Sequence, residues 1–241
     1  MANHPKWNGV SYVDLFAGPG VCEVRETQKR LPGSAMIAAN AAKMLRRIIC
    51  CELVEENANA LRQRLQASPS AAVSEVLAGD CNQLVTAIPP KIVEGSLVLA
   101  FVDPPNLNIA FETVATLAKG GRVDFLILLA DSIDILRNVD LYETGRSDRL
   151  DRMFPQSAKW RERWGALENR SPNNIRLLFA SLYEIVLTEE LGYKFFRQQC
   201  IASKNGPLYR LIFASQHERG AEFWDKVTVK DRDGQQGLFG P

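Results

Sequence analysis

The chain has 241 residues, of which 46% are hydrophobic and 24% are charged, values typical of a folded globular protein. This composition excludes collagen-like, disordered and disulfide-scaffold classes, and the length suffices for one domain with a sizeable core. Because 29 basic residues nearly balance 28 acidic ones, for a net charge of +1, the surface as a whole does not suit the coating of a long nucleic acid. A local basic face is still compatible with this total.

No apolar run is long enough to span a bilayer, and no apolar segment near the start resembles a signal peptide, so no membrane association is expected. The cysteines number five and form no Cys-x-x-Cys pair, which favours reduced thiols and a cytoplasmic location. His4 and His217 are the only histidines and lie far apart in sequence, so no metal site is expected.

Short apolar segments alternate with segments of helical spacing through the first half of the chain. The pattern predicts strands over residues 10–16, 48–51, 73–77, 97–102 and 123–130, and helices over 35–45, 54–65, 81–88 and 111–117. Ser34 is a plausible N-cap for the first helix. Alternation of this kind indicates βαβ units, and therefore a parallel sheet with helices on both faces.

The second half of the chain has a different texture. Residues 131–176 are rich in Arg, Asp and Trp and predict a small helical cap within the domain. The remaining predicted elements are a helix over 177–191, strands over 193–202 and 208–215 joined by an Asn-Gly turn, a helix over 220–227 and a loose tail over 231–241.

The whole chain is therefore expected to form one α/β domain. It contains a doubly wound, mostly parallel seven-stranded sheet that ends in an antiparallel hairpin. Five β/α units followed by a hairpin is the order of class I S-adenosylmethionine (SAM) methyltransferases, whereas a nicotinamide-binding Rossmann domain usually lacks the hairpin.

The first predicted strand leads into Asp-Leu-Phe-Ala-Gly-Pro-Gly at residues 14–20, at the edge where open parallel sheets bind ligands. Gly18 and Gly20 let the backbone approach a ligand, although two glycines after a strand also fit an ordinary tight turn. Glu52 and Asp80 follow the next two strands, where they can accept hydrogen bonds from a ribose and from an adenine amine; Asp80 can also cap a helix. The set resembles the SAM pocket of class I methyltransferases, which implies cofactor contacts at Asp14, Phe16, Ala17, Gly18, Gly20, Glu52, Asp80 and Cys81.

The fourth predicted strand runs into Asp103, Pro104, Pro105 and Asn106, which resemble the motif of Asp or Asn, two prolines and a variable fourth residue in methyltransferases that act on nucleic acids. The prolines fix φ and remove two donors, leaving a rigid loop of acceptors that can hold a target amine; a plain strand-ending turn is the alternative. Enzymes that methylate exocyclic amines usually carry an aromatic residue at the fourth position, and Asn106 cannot stack on a flipped base. Cytosine C5 chemistry is not expected, because no cysteine lies near Asp103.

Arginines gather in the cap and in the loop over residues 21–32, which predicts a basic mouth above the site. The expected substrate contacts are Arg25, Arg30, Arg137, Arg149, Arg152 and, on the hairpin turn, Asn205. Trp160 and Trp164 share a helical face, which favours packing on the core over contact with a base. His217 follows the antiparallel final strand, which favours a structural role away from the cofactor.

Taken in order, these motifs resemble the three-Cys-motif partner (TcmP) family over most of the chain. The matching segments are residues 12–20, 33–34, 79–82, 101–105, 149–154, 207–209 and 211–217. The resemblance implies a methyltransferase-like protein that works with a radical-SAM-like protein carrying three cysteines, and it implies no particular substrate. In the tail, Gln235, Gln236, Leu238 and Phe239 faintly resemble a sliding-clamp peptide without its usual first leucine.

The leading hypothesis is a SAM-dependent methyltransferase that acts on DNA or RNA together with this partner. The alternative is a non-catalytic module that uses the methyltransferase fold to dock or recognise the partner, since Asn106 neither stacks nor acts as a nucleophile. A nicotinamide-dependent enzyme is a third option, but Pro19 removes a backbone donor that the cofactor phosphates would need.

Overall fold

A computed structural model of the chain describes residues 7–24, 27–41 and 45–232. The strands are β1 Val10–Asp14, β2 Val21–Glu23, β3 Arg30–Pro32, β4 Leu45–Glu52, β5 Ser74–Ala78, β6 Leu97–Val102, β7 Arg122–Leu129, β8 Phe195–Ser203 and β9 Gly206–Ser215. The α-helices are α1 Ser34–Asn40, α2 Glu55–Gln66, α3 Cys81–Leu84, α4 Phe111–Lys119, α5 Leu136–Glu143, α6 Arg149–Met153, α7 Trp160–Gly165, α8 Pro172–Leu191 and α9 Glu218–Arg232.

Seven of the strands form one sheet in the order β5-β4-β1-β6-β7-β9-β8. The first five in this order run parallel, and β9 is antiparallel to both β7 and β8. The chain moves outward from β1 to β4 and β5 and then returns to β6 on the other side of β1. The carboxyl ends of β1 and β6 therefore flank the switch point where ligands bind in open sheets. This confirms the predicted doubly wound fold with its C-terminal hairpin, the strand order of class I methyltransferases.

Apolar side chains fill both faces of the sheet. On one face, Val102, Ile127 and Ile212 pack with α4, α8 and the helical insertion that follows β7. On the other face, Tyr12 and Ile48 pack with α1 and α2. Strands buried from two sides explain the near-continuous apolar runs in the sequence, and they give a rigid frame whose loops carry the polar groups.

The segment that follows β7 contains α5, α6 and α7, and its tryptophans point into the core. Trp160 and Trp164 are buried against Phe179 of α8, with ring centroids 6.2 and 6.3 Å from that ring. Arg161 and Arg170 lie over Trp160 and Trp164 at 4.3 and 4.1 Å from the ring centroids. The tryptophans therefore hold the insertion on the domain, as the packing interpretation expected.

Several element bounds differ from the prediction. The first helix ends at Asn40 instead of residue 45, because Leu45 already begins β4. The loop over residues 21–32 contains the β2–β3 hairpin, whose three-residue strands are too short to show an alternating pattern. Helix α9 continues to Arg232, so the first two residues of the predicted loose tail are helical, and residues 233–241 lie outside the described part of the chain. No helix within the described ranges is both long and apolar enough to cross a membrane.

Ser34 is the first residue of α1 and not its N-cap, which is Gly33. The Ser34 hydroxyl donates a hydrogen bond to the Asp14 carboxylate at 2.6 Å instead of capping its own helix. The prediction was wrong because a hydroxyl at a helix start can bond to any nearby acceptor, and here the buried carboxylate is closer than the helix backbone.

Candidate functional site

The loop after β1 is anchored by Asp14, which is fully buried. Its carboxylate accepts hydrogen bonds from the Tyr12 hydroxyl at 3.0 Å, the Ser34 hydroxyl at 2.6 Å and the Phe16 backbone N–H at 3.3 Å. Burial raises the pKa of Asp14 to about 6, against the opposing effect of these hydrogen bonds, and the nearby charge of Asp103 adds to the rise. Because its oxygens meet protein donors, Asp14 holds the loop in position from below.

The glycines of this loop adopt backbone conformations that favour glycine. Gly18 has φ +60° and Gly20 has φ +83°. A Cβ on Gly20 would lie 2.8 Å from the Leu61 side chain, so packing also requires a glycine there. A Cβ on Gly18 would meet no atom within 4 Å. The backbone at Gly18 therefore faces open space, while Ala17 beside it is buried.

Glu52, at the end of β4, fixes the other side of the same loop. One oxygen accepts the Gly18 N–H at 2.9 Å, and the other accepts the Val54 N–H at 2.9 Å and the Asn57 amide at 3.4 Å. An ionised carboxylate offers about four acceptor positions. Since protein donors take three of them, Glu52 shapes the loop and still has capacity for a ligand hydroxyl.

Asp80 caps α3, which is one of the two roles predicted for it. Its carboxylate accepts the backbone N–H and the side-chain amide of Asn82, both at 2.9 Å. Cys81 beside it is buried, which raises the pKa of its thiol to about 12 and leaves it protonated. The Asn82 side-chain oxygen in turn accepts the Ala110 N–H at 2.9 Å and the Thr113 hydroxyl at 2.8 Å. Asn82 thus links the loops that follow β5 and β6. Its place in the motif over residues 79–82 did not indicate this role.

The loop after β6 presents Asp103 at the same edge of the sheet. Asp103 is half-buried, and this burial raises the pKa of its carboxyl. In the described part of the chain, no group donates a hydrogen bond to this carboxylate. A desolvated carboxylate without a donor is unfavourable, so it favours a ligand that brings one.

The rest of this loop is tight and strained. Pro104 is buried, and the chain then turns through Asn106 and Leu107, which have φ +53° and +60°. Left-handed backbone costs a bulky residue such as leucine about 1–2 kcal/mol. Burial of the Leu107 side chain and a hydrogen bond of 3.2 Å from the Asn108 N–H to the Pro105 carbonyl hold the turn. The exposed Asn106 side chain and Asp103 therefore stand on a rigid support.

The predicted substrate arginines occupy different surroundings. Arg152 on α6 lies nearest the site loop, 3.5 Å from the side-chain oxygen of Asn108. Arg149 lies 3.9 Å from the buried carboxylate of Asp134. Arg137 on α5 is exposed, and no hydrogen bond or ion pair engages it within the described residues. Of these three arginines, Arg152 is the one with a contact to the loop that follows β6.

The other predicted substrate residues are placed as follows. Asn205 forms the exposed turn between β8 and β9, which lies at the carboxyl end of β7 because β9 runs antiparallel to β7. Arg30 pairs with Glu23 across the β2–β3 hairpin at 3.4 Å. Within the residues that the structure describes, no hydrogen bond or ion pair joins Arg30 to the cap. Arg25 lies outside the described residues.

His217 is at the opposite edge of the sheet, as predicted. β9 ends at Ser215, whose hydroxyl donates to the His217 carbonyl at 2.9 Å, and the His217 ring accepts the Arg219 N–H at 3.2 Å. These contacts begin α9 and give His217 a structural role.

Two clefts of about 520 and 500 Å³ lie away from Asp103. The first lies between the β2–β3 hairpin and α1 and touches the glycine loop only at Gly20. The second lies at the opposite edge of the sheet, around Trp7 and Arg122. Neither contains the convergent carboxylates, so cleft size does not identify the candidate site, and the chemistry of the loops does.

No protein-family model matches the sequence, and no curated protein is detectably similar to it. Among solved structures, a Legionella pneumophila protein of family DUF519 has 12% identity and a TM-score of 0.49, over 88% of this chain and 78% of that one. The O-methyltransferase TomG from Streptomyces achromogenes, in complex with SAM, has 11% identity and a TM-score of 0.47, over 86% and 73%. An O-methyltransferase from Bacillus cereus, in complex with SAH (S-adenosylhomocysteine), has 11% identity and a TM-score of 0.48, over 85% and 73%. At these values the likenesses indicate no substrate, and the strand order of the chain itself establishes the fold.

Proposed function

We propose that this protein is a SAM-dependent methyltransferase that transfers a methyl group to an amine of a nucleic acid. The observation that carries the proposal is the half-buried Asp103 carboxylate, which has no protein donor and stands beside the glycine loop at the switch point of the sheet. A carboxylate in this state suits a ligand that donates hydrogen bonds, such as an amine.

The residues present fit a SAM-like cofactor. The open space above Gly18 admits a ligand against the backbone, and Glu52 keeps acceptor capacity for a ribose hydroxyl. When bound, SAM supplies an electrophilic methyl group on a sulfonium. Asp14 would act indirectly, by holding the loop at Phe16 and α1 at Ser34.

The role of the protein in the transfer is to position the acceptor. Asp103 accepts a hydrogen bond from the amine and directs its lone pair, while the rigid Pro104–Pro105 segment prevents the carboxylate from turning away. Asn106 adds an amide that can both donate to and accept from the acceptor. Direct displacement requires no covalent intermediate on the protein.

The nucleic acid and the partner form the finer part of the proposal. Arg137, which is exposed, and Arg152, which lies beside the loop after β6, provide cations for phosphate contacts. The partner is a radical-SAM-like protein with three cysteines, as the resemblance to three-Cys-motif partner proteins implies. The second candidate function, a non-catalytic docking module for that partner, is favoured by the absence of an aromatic residue at position 106.

The test combines cofactor binding with methyl transfer. Isothermal titration calorimetry with SAM and with SAH is expected to give one-site binding for the wild type, Asp103→Ala and Asp124→Ala. Asp124 is a matched control, since burial also raises its pKa, but it lies at the start of β7, at the opposite edge of the sheet. Transfer of tritiated methyl groups to cellular DNA and RNA, with and without the co-expressed partner, is expected to disappear only in Asp103→Ala, which removes the acceptor oxygens.

Absence of SAM and SAH binding, with and without the partner, would refute the proposal. Retained cofactor binding, with partner-dependent activity unchanged in Asp103→Ala, would instead favour the docking module.

A further inference from the structure

Tyr209, near the start of β9, lies next to the candidate site from the side opposite the glycine loop. It is half-buried and packs against the core cluster that includes the end of β7. Within the described residues its hydroxyl makes no hydrogen bond. Part of the Tyr209 side chain is therefore accessible at this edge of the sheet.

The strand register places Tyr209 and Asp103 on the same face of the sheet, with β7 between their strands. Val102 pairs with Ile127, and Ile127 pairs with Ile212, so these three side chains lie in one row on one face of the sheet. Because side chains alternate along a strand, Asp103 and Tyr209 both belong to the other face. After burial, the charge of Asp103 is the second cause of the raised pKa of Tyr209, which agrees with this proximity.

The neighbouring residue fixes the backbone at this point. Arg210 donates to the buried carboxylate of Asp131 at 3.0 Å and to the Gln198 side chain at 2.9 Å. Asp131 begins the helical insertion, so the pair ties the start of β9 to the end of β7. Tyr209 therefore stands on a fixed strand and not on a mobile turn.

We propose that Tyr209 supplies the aromatic surface on which a planar acceptor, a nucleobase, lies while Asp103 holds its exocyclic amine. This rests on the proposed function and names the acceptor class for the same site. The Asp-Pro-Pro loop has Asn106 where amine-directed enzymes usually carry the stacking residue, and Tyr209 lies on the same face of the sheet as Asp103, near enough for the charge of that carboxylate to affect it. Aromatic rings stack on any base, so Tyr209 sets the shape class of the acceptor and the hydrogen bonds set its identity.

The experiment uses adenosine and cytidine 5′-monophosphates as probes with the SAH-saturated full chain. Saturation-transfer NMR is expected to show stronger saturation of base protons than of ribose protons for the wild type. Tyr209→Leu is expected to weaken binding about 5- to 150-fold, the range for the loss of one base–aromatic stack. Tyr209→Phe and Tyr209→Trp, which keep an aromatic surface, are expected to bind within about 3-fold of the wild type. Phe223→Leu, at a 52% exposed aromatic on α9, is the control and is expected to change nothing.

Each other outcome overturns the inference. If Tyr209→Leu binds the nucleotides as tightly as the wild type does, the ring does not contact the base. If Tyr209→Phe loses as much affinity as Tyr209→Leu does, the effect belongs to the hydroxyl and not to the ring. Bound SAH with no nucleotide binding by the wild type overturns the nucleobase and leaves the proposed methyltransferase standing. Failure to bind SAH overturns both. Thermal unfolding of every variant near the wild-type temperature is expected, because the ring is only half-buried.

Discussion

The buried Asp14 carboxyl predicts how the stability of the protein depends on pH. Burial raises its pKa from 3.8 to about 6, so the folded state binds this proton more tightly than the unfolded chain does. The difference between the pKa values of the unfolded and folded states corresponds to about 3 kcal/mol in the free energy of unfolding. A raised carboxyl pKa lowers stability, and this cost is complete above about pH 6, shrinks as the pH falls through 6, and is absent below about pH 4.

Asp14→Asn removes the titration and nearly preserves the shape. The amide oxygen can still accept from the Tyr12 and Ser34 hydroxyls, but the amide nitrogen then faces the Phe16 N–H, which costs about 1–2 kcal/mol at every pH. Only the pH-dependent part of the comparison therefore tests the argument.

The assay is urea unfolding of the wild type and Asp14→Asn between pH 4.5 and 7.5. As the pH rises, the free energy of unfolding of the variant is expected to increase by about 2–3 kcal/mol relative to that of the wild type. The variant no longer has a carboxyl to ionise in the core. If the free energies of unfolding of the wild type and Asp14→Asn change in parallel over this pH range, Asp14 ionises at an ordinary pKa. The account of Asp14 as a buried anchor of the loop would then be wrong.

Three further predictions concern the loop, the cap and the thiols. Glu52→Gln is expected to weaken SAH binding about tenfold in calorimetry, because a neutral amide is a poorer acceptor for the Gly18 N–H and a ribose hydroxyl. Trp164→Ala is expected to cost about 3–5 kcal/mol in chemical unfolding, because its ring is buried against Phe179. Ellman's reagent is expected to label two thiols in the native protein and three more only after unfolding. The exposed thiols are Cys22 and Cys200, and the buried ones are Cys50, Cys51 and Cys81.

The sheet was predictable because its strands are buried on both faces. The run over residues 97–102 is wholly apolar and ends at a charged residue, and β6 has those bounds. The end of α1 was not predictable, since the apolar residues up to Leu45 suit a helix and a strand equally well. The strained turn at Asn106 and Leu107 has no sequence signal either, because tertiary packing of the leucine imposes it.

The position of the acidic residues at one edge of the sheet was predictable, and their hydrogen-bond partners were not. Carboxylates after successive parallel strands must meet at one edge of the sheet, which is why Asp14, Glu52 and Asp80 could be named from the sequence. Whether each faces a ligand or the protein depends on donors that are distant in sequence, such as Ser34 for Asp14 and Gly18 for Glu52. No sequence pattern links Tyr209 to Asp103, because the face of the sheet that they share follows from the register of β6, β7 and β9.

Whether a charged side chain faces a ligand or the protein also decides what the charge of the cap predicts about nucleic-acid binding. Residues 131–176 contain nine cations, but Arg161 is paired with Asp151 and Arg170 covers Trp164, so these two hold the cap together. Arginines engaged in this way release no counterion to phosphate, whereas Arg137 and Arg152 can. For DNA or RNA bound at this mouth, we expect log K to fall with log salt concentration with a slope of about −1.4 to −1.8, since each of the two phosphate contacts contributes about −0.7 to −0.9. A slope near −8 would require all nine cations to contact phosphate, and the cap would then have to release its internal ion pairs on binding.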